Sequence, residues 1–142
     1  LVYDEHKHNI LHRSANINDP GIIAADFLFI DHPGLFSEKY PSFPKLEKLI
    51  QFTAVHGKSK VLFWLPLTRS IQADTTSVQL LLENGFDITR VVWSSDVSTP
   101  GCILAYRLSD AATKRLRLSV KEIYTIAGFG TGEGALLEHV DA

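Results

Sequence analysis

Asp31 is the residue of this chain with the clearest potential for chemistry. It follows the apolar run Phe27–Ile30, which is short and rich in β-prone residues and therefore predicts a buried strand. Pro33 and Gly34 then force a turn directly after the carboxylate. Ligands of open α/β sheets collect at the carboxyl ends of strands, so we predict that Asp31 belongs to a binding or catalytic site. The alternative is a carboxylate that only caps a turn.

His32 places a second chemical group beside this carboxylate. An imidazole exchanges protons near neutral pH, and a carboxylate can accept hydrogen bonds from an amine, a ribose or a water. Residues 32–44 form a long, proline-containing loop, and long loops beside strand ends are often functional. The sequence therefore predicts a site built from Asp31, His32 and the loop that follows.

Two other segments carry weaker signals. The glycine-rich segment Gly128–Gly134 follows a predicted helix and precedes a predicted strand, the reverse of the order in dinucleotide-binding motifs. We interpret it as a flexible helix-to-strand connection rather than a phosphate site. His8 and His12 would share one face of a helix, as metal ligands can. Residues 1–21 lack a helical pattern, so we expect a solvated terminus and no metal site.

The composition fits one domain with a sizeable core, because 45% of the 142 residues are hydrophobic and 21% are charged. The net charge of -2 gives no independent sign of nucleic-acid binding. Cys102 is the single cysteine, which excludes an internal disulfide and fits a cytoplasmic location. No apolar run approaches the roughly 20 residues that cross a membrane. The chain begins at Leu1 and contains no methionine, as a processed or cut chain would.

Apolar periodicity and turn residues predict strands that alternate with helices. The predicted strands cover residues 26–31, 60–66, 88–94, 101–108 and 135–140, and the predicted helices cover residues 45–56, 70–84 and 110–127. Such alternation favours parallel pairing, so we predict an α/β domain of three layers with a mostly parallel sheet. The short link after residue 94 predicts a C-terminal antiparallel hairpin.

Asp31 and Pro33, coming after an aromatic strand, resemble the Asp-Pro-Pro-Tyr motif of methyltransferases that act on amino groups. The next strand contains Phe-Trp-Leu-Pro (residues 63–66). It is similar to the Leu-Trp-Tyr-Pro strand of the large-subunit ribosomal-RNA adenine-N6 methyltransferases, the type once linked to use of external DNA. Short matches extend from Ala25 to Val140. The resemblance implies half of a Rossmann-like methyltransferase domain. We also predict that Phe63 and Trp64 lie on a core strand beside the one that ends at Asp31.

The resemblance further implies methyl transfer from S-adenosylmethionine to an adenine amine in RNA. In this family the aspartate and an adjacent backbone carbonyl hold the amine, so Asp31 would orient it and Pro33 would set the backbone. An aromatic ring of the family stacks on the base, and Phe36 or Tyr40 could supply that ring here. Pro66, at the end of the neighbouring strand, would shape the pocket.

The chain also departs from the family pattern. His32 replaces the first proline of the motif, Gly34 replaces its aromatic residue, and Ala105–Leu108 stands where the family has Asn-Pro-Pro-Trp. The 30 residues before Asp31 lack the glycine-rich loop that binds S-adenosylmethionine in the family. We therefore expect the C-terminal half of a methyltransferase domain, with the cofactor site supplied by another subunit or by a missing N-terminal half.

Two other functions stay open. The chain is either a non-catalytic binding or assembly module that kept the fold and lost the cofactor site, or a small enzyme that uses Asp31 and His32 as an acid/base pair. The sequence contains no Gly-x-Ser-x-Gly elbow, P-loop or Cys/His pair, which argues against acyl hydrolases and P-loop phosphotransferases.

Overall fold

The computed structural model describes residues 2–3, 9–10, 26–32, 45–55, 60–68, 70–94, 97 and 99–142. The strands are β1 (Val2–Tyr3), β2 (Asn9–Ile10), β3 (Leu28–Asp31), β4 (Val61–Pro66), β5 (Asp87–Val92), β6 (Gly101–Arg107) and β7 (Leu136–Val140). The α-helices are α1 (Leu46–Val55), α2 (Ile71–Glu83) and α3 (Asp110–Ile126), and a short 3₁₀ turn spans Phe129–Thr131. No helix in these ranges is long and apolar enough to cross a membrane.

Five of the strands form one mixed sheet, in the order β3-β4-β6-β5-β7. β3 and β4 pair in parallel, whereas the β4–β6, β6–β5 and β5–β7 pairs are antiparallel. The predicted three-layer, mostly parallel sheet of a Rossmann-like methyltransferase half is therefore wrong. The reason lies in β6, which returns from β5 through a short link and inserts between β4 and β5, so that it runs opposite to both neighbours.

The helices begin and end where local sequence signals place them. The Ser70 hydroxyl accepts a hydrogen bond from the Ala73 N–H at the start of α2, and the Ser109 hydroxyl does the same for the Ala112 N–H at the start of α3. Gly85 follows α2 with φ of 83°, a left-handed conformation that favours glycine. These caps satisfy backbone groups that a helix end leaves without partners.

The hydrophobic core lies between one face of the sheet and helices α1 and α2. Alternate residues of β4 supply its centre, because Val61, Phe63 and Leu65 are buried while the residues between them are only partly buried. Leu81 of α2 and Ile50 of α1 pack against this row. The expected place of Phe63 in a core strand beside β3 is confirmed, since Ile30 is its register partner.

The opposite face of the sheet is covered less completely. Helix α3 lies on this face and contributes no fully buried side chain. Its Arg117 contacts Tyr106, which alternates along β6 with the core-facing residues. Near β3 the same face presents Phe29, whose side chain is 57% exposed, and the partly buried Trp64. The two faces therefore differ, with the hydrophobic core on one side and an accessible surface around β3 on the other.

Candidate functional site

The candidate site lies at the edge of the sheet where three strands end. β3 and β4 are parallel, and β4 and β5 are also parallel to each other because both run antiparallel to β6. The carboxyl ends of these three strands therefore meet at one edge, which bears Asp31, Pro66 and Val92. Ligands of open α/β sheets bind at such an edge, since the turns there can vary without disturbing the core.

Asp31 is the last residue of β3, and its side chain is exposed. It lies on the accessible face, because it is two residues from the exposed Phe29 and its register partner is Trp64. The described residues offer its carboxylate no hydrogen bond or ion pair. An exposed, uncommitted carboxylate at a strand end can accept hydrogen bonds from a ligand's N–H or O–H groups.

The second carboxylate near this edge is committed to the fold. The Asp74 carboxylate accepts hydrogen bonds from the Thr68 N–H at 3.1 Å and from the Thr68 hydroxyl at 2.9 Å. These bonds fix the turn between β4 and α2, at the end of the strand that follows Asp31 in the sheet. Asp31 is thus the better candidate of the two for binding a ligand.

His32 is buried, in contrast to its neighbour. Its side chain is only 1% exposed, and its backbone N–H donates to the Trp64 carbonyl at 3.1 Å, which extends the β3–β4 pairing by one residue. Successive residues of an extended chain point to opposite sides, so the carboxylate and the imidazole do not share a surface. The assignment of His32 as a catalytic group stays a prediction, and this burial gives it no support.

Trp64 and Pro66 extend the accessible surface from Asp31 onto β4. Trp64 is the register partner of Asp31, and paired strands lie about 4.8 Å apart, so the two residues are neighbours on the same face of the sheet. Pro66 follows two residues later on the same face and is partly buried. An aromatic side chain next to a carboxylate suits a planar ligand that carries a hydrogen-bond donor. The role of Pro66 in shaping a pocket at Asp31 stays a prediction.

Cys102, opposite Pro66 on β6, is a structural thiol rather than a nucleophile. Burial raises the pKa of this thiol to about 11, and a hydrogen bond with Trp64 only partly offsets the effect. The protonated thiol is a weak nucleophile, because the thiolate is the reactive form. Cys102 is therefore not a candidate nucleophile at this edge.

The remaining predicted site residues, Pro33, Phe36 and Tyr40, lie outside the described residues. The histidines at positions 8 and 12 also lie outside them. Among the residues that the structure describes, no group of three His, Cys, Asp or Glu side chains could hold a metal ion.

The glycine-rich segment forms the helix-to-strand connection that its sequence context predicts. Gly128 takes φ of 71°, a left-handed conformation in which an L side chain is strained. A Cβ atom on Gly132 would come within 2.0 Å of the Trp93 carbonyl oxygen. Between these glycines the Phe129 ring packs against the Trp93 and Tyr124 rings. Close packing against the Trp93 backbone therefore explains why position 132 needs glycine, and no phosphate-binding role is required.

A separate groove of about 820 Å³ lies on the core face of the sheet, between α2 and β7. It is lined by apolar side chains of β5 and α2, such as Ile88 and Val78, and by Arg90 with Glu138. The Arg90 Nε atom lies 3.7 Å from a Glu138 carboxylate oxygen. Asp31 does not line this groove. The concave surface and the predicted site residue therefore lie in different parts of the protein. We favour the Asp31 edge because it combines an exposed carboxylate that has no partner among the described residues, an aromatic register neighbour and converging strand ends.

Sequence analysis missed a polar network on the other face, in which Thr89 and Tyr106 are fully buried and hydrogen-bonded. The available signal was the presence of hydroxyl side chains at the centres of two otherwise apolar strands. Buried hydroxyls require partners, but their positions in sequence do not reveal which partners they have.

Comparison with known proteins gives no match for this chain, whether with family models, curated proteins or solved structures. The functional argument therefore rests on the geometry of the site and on the resemblance carried by its motifs.

Proposed function

We propose that the chain takes part in methyl transfer to the exocyclic amine of a nucleic-acid base, with Asp31 as the residue that holds the amine. One observation carries the proposal: an exposed carboxylate without a described partner ends β3, at the position that pairs in register with Trp64 of β4. A carboxylate that accepts a hydrogen bond from the amine would orient the nitrogen lone pair, and the tryptophan offers a surface for the base. The reaction would need little more from the protein than the in-line placement of amine and methyl donor.

The proposed donor is S-adenosylmethionine, as the motif resemblance implies, and the proposed acceptor is an adenine in RNA. The described strand-to-helix turns are not glycine-rich, since the chain passes from β4 to α2 through Leu67 and Thr68 and from β6 to α3 through Leu108 and Ser109. We therefore propose that most donor contacts come from a partner subunit or from residues outside the described ranges. A single, buried thiol is consistent with work in the reducing cytoplasm.

Binding of S-adenosylmethionine to the isolated chain tests whether the donor contacts come from elsewhere. Isothermal titration of the isolated chain with S-adenosylmethionine should show weak binding or none, because no described turn cradles the methionine or adenosine groups. S-adenosylhomocysteine serves as the matched ligand without the transferred methyl. One-to-one micromolar binding to the monomeric chain would show that the donor site lies within these 142 residues and would overturn the proposed need for a partner.

The activity itself is tested by product analysis. The tagged chain, isolated with whatever it binds in cells, is incubated with methyl-labelled S-adenosylmethionine and an RNA that contains unpaired adenines. We expect the label in N6-methyladenosine after nuclease digestion and mass spectrometry. Label in a ring-nitrogen or ribose methyl product, or no label at all, would contradict transfer to the exocyclic amine.

A second candidate function, a non-catalytic binding or assembly module, is favoured by one observation. Phe27, just before β3, is 48% exposed, and Phe29, on β3, is 57% exposed. Large exposed apolar side chains often mark interaction surfaces. In that case the tagged chain would bind its partner but transfer no label. The acid/base alternative is weaker than both, because a histidine that is 1% exposed is poorly placed to exchange protons with a substrate.

A further inference from the structure

A chain of short hydrogen bonds joins helix α3 to the last three strands of the sheet. The Arg117 Nε–H donates to the Tyr106 hydroxyl at 2.9 Å. The Tyr106 hydroxyl lies 2.8 Å from the Thr89 hydroxyl, which lies 2.8 Å from Nδ1 of His139. Tyr106 and Thr89 are fully buried, whereas His139 on the edge strand β7 is exposed. The chain thus connects a solvent-accessible imidazole to a buried tyrosine.

The direction of these hydrogen bonds follows from Arg117. A guanidinium can only donate, so the Tyr106 oxygen accepts and its own hydrogen is free to point at Thr89. The Thr89 hydrogen then points at Nδ1 of His139, which must accept. Every hydroxyl hydrogen in the chain has an acceptor only when Nδ1 carries no proton. The structure therefore selects the neutral imidazole with its proton on Nε2.

We propose that His139 is a proton-operated latch that fastens β7 to the sheet. In the neutral state, Nδ1 of His139 accepts a hydrogen bond from the Thr89 hydroxyl. This side-chain bond adds to the backbone pairing of Thr89 with His139 between β5 and β7. A proton on Nδ1 forces Thr89 to accept from the ring and to turn its own hydrogen toward Tyr106. The buried Tyr106 hydrogen then loses its acceptor, so the protonated state holds β7 less firmly.

The charges around His139 come from three elements. The described charged groups lining the cleft that His139 faces are Asp110, Lys114, Arg117 and Lys121 of α3, Asp87 of β5 and Asp141 after β7. Asp141 is engaged by the Arg117 guanidinium at 2.6 Å, and the Asp87 carboxylate accepts from the Ala142 N–H at 2.9 Å. Both carboxylates therefore have other partners.

Burial, reinforced by the Arg117 charge, lowers the pKa of His139 against a smaller opposing effect of Asp141. An ordinary histidine in the unfolded chain has a pKa near 6.5 and takes up its proton first as the pH falls. The latch therefore stabilises the folded state fully above about pH 6.5 and is lost as the pH falls through the lower, folded-state value.

Amide hydrogen exchange of the full chain tests the latch. Between pH 7.5 and 5.5, after correction for the intrinsic pH dependence of exchange, we expect protection of the β7 amides to fall several-fold. Protection along the β3–β4 ladder, which contains none of the hydrogen-bonded residues, should stay constant. This interval lies above the ordinary pKa values of aspartate and glutamate, so a histidine is the group that titrates.

Two variants separate the latch from a purely structural role. His139→Asn places an amide oxygen where Nδ1 accepts but cannot titrate in this range, so its β7 protection should be high and independent of pH. Thr89→Val removes the link and should give low protection at both pH values. The proposal is overturned if native β7 protection does not change with pH, or if His139→Asn shows the same change. The native protein and the His139→Asn variant decide the question even if Thr89→Val does not fold.

Discussion

Phe63→Ala is expected to cost about 3–5 kcal/mol of folding free energy, the range found when a buried phenylalanine is truncated. The Phe63 side chain has no exposed surface and meets the Phe86 ring edge-on, with 5.4 Å between ring centroids. Domains of this kind have about 5–15 kcal/mol of total stability, so the variant should lose a large fraction of it. Urea unfolding followed by circular dichroism measures the loss directly.

Trp64→Ala is the matched control, because it removes a larger side chain at the next position of the same strand. Trp64 points to the accessible face and is only partly buried, so we expect a smaller loss of stability than for Phe63→Ala. Phe63→Leu keeps most of the core volume and should give an intermediate loss if the alanine variant fails to fold. A larger loss for Trp64→Ala than for Phe63→Ala would show that the faces of β4 are assigned the wrong way round.

Asp31→Ala is expected to lower the proposed methyl transfer by about 100-fold or more, since misplacing a reacting group by about an ångström can cost that much. The side chain is exposed and the described residues give it no partner, so the thermal midpoint should hardly move. The rate of label transfer and the unfolding midpoint, measured on the same preparation, separate a loss of function from a loss of fold.

Asp26→Ala is the control for charge. Asp26 is also exposed and lies just before β3, at the opposite end of the strand from Asp31. Its replacement removes the same charge without touching the candidate site and should leave the rate unchanged. Equal losses for the two variants would point to long-range electrostatics, and full activity of Asp31→Ala would show that the amine is held elsewhere.

The individual helices and strands were predictable because their signals are local. Leu49 and Ile50 follow Leu46 at the helical spacings of three and four residues and are both buried in α1. Ser70 caps α2 as its position predicts. The place of β4 beside β3 was also predictable, because a continuous apolar strand joined to its neighbour by a helix favours parallel pairing.

The strand order was not predictable from such signals. The link from β5 to β6 predicts antiparallel pairing of these two strands, but β6 can lie on either side of β5 with the same local sequence. Its insertion beside β4 pairs Leu65 with Ile103 and Phe63 with Ala105, contacts about 40 positions apart in sequence. Such long-range pairing depends on the complete sheet. The apolar periodicity of a single sequence indicates where strands lie but not which strands pair.

The candidate site shows the same division. Asp31 at a strand end and Pro66 at the neighbouring strand end follow from the two apolar runs. The pairing of Asp31 with His32 as chemical partners rested on adjacency in sequence, whereas extended backbone sends neighbouring side chains to opposite sides. The Thr89–His139 bond joins residues 50 positions apart, so no local sequence pattern predicts it.

A structure of the protein with an adenine nucleoside and S-adenosylhomocysteine, together with the proposed partner, tests the central claim most directly. The claim predicts an Asp31 carboxylate oxygen within about 2.7–3.2 Å of the exocyclic nitrogen, the distance of a hydrogen bond. It also predicts the base beside Trp64 at the edge where β3, β4 and β5 end. A base bound in the groove between α2 and β7, or one whose amine does not reach Asp31, would contradict it.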